Sequence, residues 1–214
     1  MKLRVSPLAT LLVALAVVTM VALGVWQLHR HVWKQERIAR YAANATLPPM
    51  AFPRPPVGEE YLYRRASAFC LSVTQWQSRA GRDAQGRTGY RLIAECRTGA
   101  EGPGLKVEMG VTPDPGTRPQ WNGGRVTGTI AAVPGERPVI ASLLDKSRPL
   151  PLMLVSDVPA PGLAPSARPD PARVPDNHLF YAAQWFLFAV TAIALWLFAA
   201  RRGAGARKPP DATA

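Results

Sequence analysis

Apolar positions run unbroken at the two ends of the chain and alternate with polar ones in between. No charged residue occurs across 8–28, and none across 179–200. At about 1.5 Å rise per residue, either run is long enough to cross a hydrocarbon core of roughly 30 Å. The pattern therefore predicts transmembrane helices over 8–28 and 177–200. Asp176 and Asn177 stand where the second helix needs an N-cap, and Arg201 and Arg202 suit its C-terminus. Between the two runs, 68–76, 90–96, 105–109 and 125–130 carry the alternation and composition of strands. A fifth strand is expected over 150–155, placed at a sheet edge by Pro149 and Pro151. Turn signals separate them at 78–89, 113–116 and Pro134-Gly135, and no amphipathic helix appears between 61 and 158.

Proline then divides the chain further. Of the 22 prolines, five fall in 48–56 and six in 159–175, which predicts two stiff, extended linkers. The expected layout is a cytoplasmic N-terminus at 1–7, a transmembrane helix at 8–28 and its juxtamembrane extension at 29–46. A linker at 47–60 leads to a β-rich periplasmic domain at 61–158. A second linker at 159–176 leads to the transmembrane helix at 177–200 and a cytoplasmic tail at 201–214. The fold class is an α+β membrane protein, with two transmembrane helices flanking a small antiparallel β-rich external domain.

Charge sets the orientation. The net charge is +12, and Lys2 and Arg4 before the first helix, with Arg201, Arg202, Arg207 and Lys208 after the second, place both termini in the cytoplasm. Arg30, Lys34, Arg37 and Arg40 argue the other way, but a long loop translocates largely regardless of its charge. A nucleic-acid role is excluded, because the basic residues are spread along the chain and the loop lies outside the cytoplasm. Membrane lipid headgroups account for them better. The first apolar run exceeds the 7–15 residues usual for a signal-peptide core, so it is expected to stay uncleaved. The Ala, Arg and Pro richness is compatible with a bacterial inner-membrane protein.

Candidate chemistry gathers at the membrane boundaries. His178, Tyr181 and Trp185 lie at i, i+3 and i+7, one helix face, with Phe188 a turn further on. Such a face serves either as an interfacial belt or as a ligand site built on a neutral imidazole. Trp26, Arg30, Trp33 and Arg37 form a second stripe, on the helix that leaves the membrane. His29 and His31 point roughly 200° apart and cannot chelate one metal together, so both read as interfacial polar residues. Cys70 and Cys96 are the only cysteines. In an oxidising compartment they read as a disulfide between neighbouring strands; the rival is a redox-active or copper-binding pair. No nucleophile elbow, phosphate loop or metalloprotease motif occurs, which favours a binding or assembly role over catalysis.

The two ends also carry a family signature. A helix with Gly24-x-Trp26-Gln27-x-x-Arg30-x-x-x-Lys34, and a return helix opening Asn177-His178-Leu179-x-Tyr181-Ala182-x-x-Trp185-Phe186, together resemble the Surfeit locus protein 1 family. Gly89-Tyr90 and Val126-x-Gly128-Thr129 look like family positions as well. The chain departs from the family's usual Arg-Gly-Trp step by reading Met109-Gly110-Val111, and the cysteine pair is not a general family feature. The resemblance implies an assembly factor for cytochrome c oxidase. Its partners would be the oxidase's largest subunit and other assembly factors, and its ligand heme a. It further implies His178 as the iron ligand; on physical grounds Tyr181, Trp185 and Trp26 would then pack the porphyrin and Arg30 would meet its propionates. Its alternatives are a scaffold that binds protein alone and a membrane-anchored thiol- or copper-handling protein using Cys70 and Cys96.

Overall fold

A computed structural model describes residues 6–54, 58–100, 104–135 and 150–205. They form two compact units: the residues up to Arg37 together with those from Pro175 on, and Ile38–Val174.

The first unit contains most of α1 (Pro7–Thr46) and all of α2 (His178–Gly205). Both helices are long and apolar enough to cross a membrane. At 40 residues, α1 is roughly 60 Å long, about twice a hydrocarbon core. It ends at the residue before Leu47-Pro48-Pro49, since a proline forces its predecessor out of the helical region.

The second unit is a mixed seven-stranded sheet. Its strands are β1 (Met50–Ala51), β2 (Arg65–Cys70), β3 (Ser72–Arg82), β4 (Thr88–Arg97), β5 (Leu105–Thr112), β6 (Gly124–Ala132) and β7 (Leu152–Ser156), in the order β1-β2-β6-β7-β5-β4-β3. The expected all-antiparallel sheet is corrected at two places, because β1 runs parallel to β2 and β5 parallel to β7. A second correction concerns β7. It is central rather than an edge strand, pairing Ile130 with Leu154 on one side and Val107 with Leu154 on the other. Pro151 precedes the strand, where it costs no ladder donor, and its carbonyl accepts from the Val133 amide. Leu152 to Val155 are all buried, as befits a strand covered on both faces.

Leu71 alone separates β2 from β3. At that bend the chain leaves its partner β6 (Cys70 opposite Gly124) and joins β4 (Ser72 opposite Arg97), so the sheet curls and its two sides meet. Cys70 in β2 and Cys96 in β4 are disulfide-bonded at the bend. These strands are not neighbours in the sheet, and the bond ties two sides of a curled sheet rather than adjacent strands. Cys70 is buried while Phe69 and Leu71 are exposed, as strand alternation requires.

The proline-rich segments are less linker-like than their composition suggests. Ala160 and Ala164 donate to the carbonyls of Met109 and Val111, and Ala84 and Ala167 donate to those of Pro165 and Arg82. Residues 160–167 thus form a strap across β5 and the β3–β4 turn. It crosses where β4 and β5 slip register, with Gly110 at φ +138°. A Cβ on Gly110 would stand 2.7 Å from that of Leu163, so a glycine is required there. The last turns of α1 join this unit too: Asn44 donates to the carbonyls of Glu60 and Leu62, and the Tyr41 ring lies 4.9 Å from that of Tyr63.

Candidate functional site

One side of α1 makes the contacts with α2. Gly24, Gln27, His31 and Gln35 recur at helical spacing, and each meets α2 or the residue pair just before it. Gly24 is buried, and a Cβ there would lie 2.6 Å from the Phe186 ring. Absence of a side chain is what lets the helices approach. One turn on, His178 Nδ1 lies 2.7 Å from Gln27 Oε1. An amide oxygen only accepts, so Nδ1 carries a proton, and in a neutral imidazole that leaves the lone pair to Nε2. Further along α1, Asp176 Oδ2 accepts from Gln35 Nε2 at 2.8 Å and stands 2.8 Å from His31 Nδ1. Its other oxygen accepts from the His178 amide at 3.2 Å and caps the start of α2. One carboxylate therefore holds both the first turn of α2 and two side chains of α1.

On α2 the buried Ala182 and Ala189 share the His178 face, and half-buried Trp185 lies beside them. The Trp185 ring packs edge-on against Phe188 at 6.2 Å. Tyr181 is turned roughly 60° away from His178; it is exposed and rests on Phe180 at 6.1 Å.

The second stripe stays separate. Trp26, Arg30, Trp33 and Arg37 are turned roughly 135° from the Gly24–Gln27–His31–Gln35 face. The Arg30 and Arg37 guanidiniums lie 4.6 and 4.7 Å from the Trp33 ring, and Trp26 is exposed. Of the residues expected to share a site, the structure keeps His178 and Trp185 on one face and leaves Trp26 and Arg30 elsewhere. The sequence reading missed Gln27, Gln35 and the bridging role of Asp176. Their signal was present only as polar side chains recurring at helical spacing with Gly24 and His31.

The sheet unit has its own buried charges. Glu108 is buried and accepts from Arg91 at 3.1 Å, while Arg91 Nε donates to the Ala80 carbonyl, so one guanidinium spans β3, β4 and β5. Burial pushes the Glu108 carboxyl above its ordinary value, and the Arg91 charge only partly offsets it. The disulfide sulfurs belong to residues at 0% and 2% exposure, which denies a thiol or metal partner access to them. Among the described residues, no cluster of three or more His, Cys, Asp or Glu is placed to hold a metal ion.

The comparisons with known proteins agree along most of the chain. The model of the SURF1 family matches residues 14–190. A SURF1-like protein from Monosiga brevicollis is 24% identical over 238 aligned residues, covering 93% of this chain and 91% of the relative.

Proposed function

The chain belongs to the SURF1 family of cytochrome c oxidase assembly factors, and from that premise we propose that it holds heme a through His178 while the oxidase's largest subunit is built. The family is one of assembly factors rather than enzymes. The observation that carries the ligand reading is the division of labour on His178. Its Nδ1–H is donated to Gln27, so Nε2 is the ring nitrogen left to act as a ligand. The residues present fit an imidazole ligand: a singly hydrogen-bonded, half-buried ring at a helix start, beside Trp185 as an aromatic surface. Bound there, the heme would be held in transit rather than put to catalysis. Arg30 and Trp26 stay outside this holding site and serve the membrane interface.

In this reading the chain crosses a bacterial inner membrane twice, with both termini in the cytoplasm and the sheet unit in the periplasm. The basic residues at both ends support that orientation, and so does the disulfide, which belongs to an oxidising compartment. The test is an optical spectrum of the full chain purified in detergent after co-expression with the heme a synthesis enzymes, beside His178→Ala. A heme a spectrum that vanishes in the variant is the expected result. Folded protein without heme in either case would leave a scaffold that acts on protein alone.

A further inference from the structure

We propose that Gln27 is the positioning residue of this site: it selects the Nε2 ligand atom of His178 and sets the electron donation of the imidazole. The inference rests on the heme-holding reading and deepens it.

Three observations converge on Gln27. First, its Oε1 is 2.7 Å from His178 Nδ1, across 151 positions of sequence, so the contact exists only when α1 and α2 are paired. Second, the pairing is held on both sides of that contact. Gly24 brings the helices together one turn before, and Asp176 bridges Gln35, roughly two turns after, and the His178 amide. The imidazole is thus fixed by its backbone as well as by its ring. Third, the acceptor is the oxygen of an uncharged amide. A hydrogen bond from the distal ring nitrogen fixes the tautomer and orientation of a ligating histidine, and it raises the basicity of the ligating nitrogen. A carboxylate in place of the amide would raise it further, and an alkyl group would remove the effect.

Two variants separate positioning from mere packing. Gln27→Leu keeps the bulk and loses the acceptor. Gln27→Glu keeps the acceptor and adds charge. Each is prepared as full chain in detergent, loaded by co-expression as above, and its reduction potential is measured at pH 8. Affinity is read by titrating hemin into protein made without heme a. Gln27→Leu should bind roughly 10- to 100-fold more weakly, with a raised reduction potential. Gln27→Glu should keep its heme at a potential below wild type, because a more basic imidazole favours the ferric ion. Changes of opposite sign are not what a packing defect produces. Wild-type affinity and potential in both variants, with the heme still lost in His178→Ala, would refute the role of Gln27 and leave the ligand standing. Heme retained in His178→Ala, or none taken up by wild type, would overturn both readings.

Discussion

Two buried residues of the sheet unit show how tightly single positions are constrained. Gly128 faces Ser156 in the β6–β7 ladder, and a Cβ built on it would overlap the Val155 carbonyl. Backbone cannot yield as a flexible side chain does, so Gly128→Ala should cost about 1–3 kcal/mol, read as a lower thermal midpoint of the full chain in detergent. Glu108 makes a prediction in pH. Its folded pKa is raised above the ordinary 4.5, chiefly by burial. The stability it contributes is therefore complete below that value and is lost as pH rises through the folded pKa. Glu108→Gln removes the titration. Thermal midpoints of wild type and variant, measured from pH 4.5 to 8, should show the wild type losing ground as pH rises. Parallel curves would mean that the carboxyl is not held above its ordinary range.

At the scale of elements, the pairing of α1 with α2 decides whether a site exists. An apolar helix pair gains little from hydrophobic burial within a bilayer, so close packing and polar contacts must hold it. Gly24→Val places methyl groups where the Phe186 ring now sits and should cost about 1–3 kcal/mol. Shortening the ring in Phe186→Ala should return part of that loss, and a double-mutant cycle on detergent unfolding measures the coupling. Strict additivity of the two substitutions would show that the helices do not meet there. The β2–β3 bend makes the parallel point in the sheet. Its disulfide closes a loop with a sequence separation of 26 and contributes roughly 3 kcal/mol in the chain-entropy model. Cys70→Ser with Cys96→Ser should lower the thermal midpoint accordingly while oxidase assembly in cells persists, since the bond is buried and its role is structural.

For the molecule as a whole, the proposed orientation is open to direct measurement. A reporter that fluoresces only in the cytoplasm should light up when fused after residue 214. A phosphatase that folds only in the periplasm should be inactive at that position and active when fused within the sheet unit. The opposite pattern would invert the topology and place the disulfide in a reducing compartment.

How much of this was legible beforehand varied with the range of the interaction. The two spanning helices and the strands β4 to β7 follow from hydrophobic period and length, which are local properties of the chain, whereas the strand expected over 68–76 is broken at Leu71 between β2 and β3, and β3 runs on through 78–82, expected as a turn. The family followed from two short motifs at the ends. Other features were not legible because they depend on partners far away in sequence. Pro149 and Pro151 argued for an edge strand, yet β7 sits between β5 and β6, because those prolines precede the strand and burial on both faces decides its place. Proline content suggested a linker over 159–176, yet residues 160–167 satisfy backbone groups of β3 and β5. The stripe of Trp26 and Arg30 looked as suited to His178 as any, until helix pairing turned it aside and brought up Gln27. The sequence by itself determined the two spanning helices and the strands β4 to β7, because periodicity and length need no partner. Only the tertiary structure decided strand order, the curl that joins Cys70 to Cys96, and the side chain that accepts the hydrogen bond of His178, because each depends on residues brought together by folding.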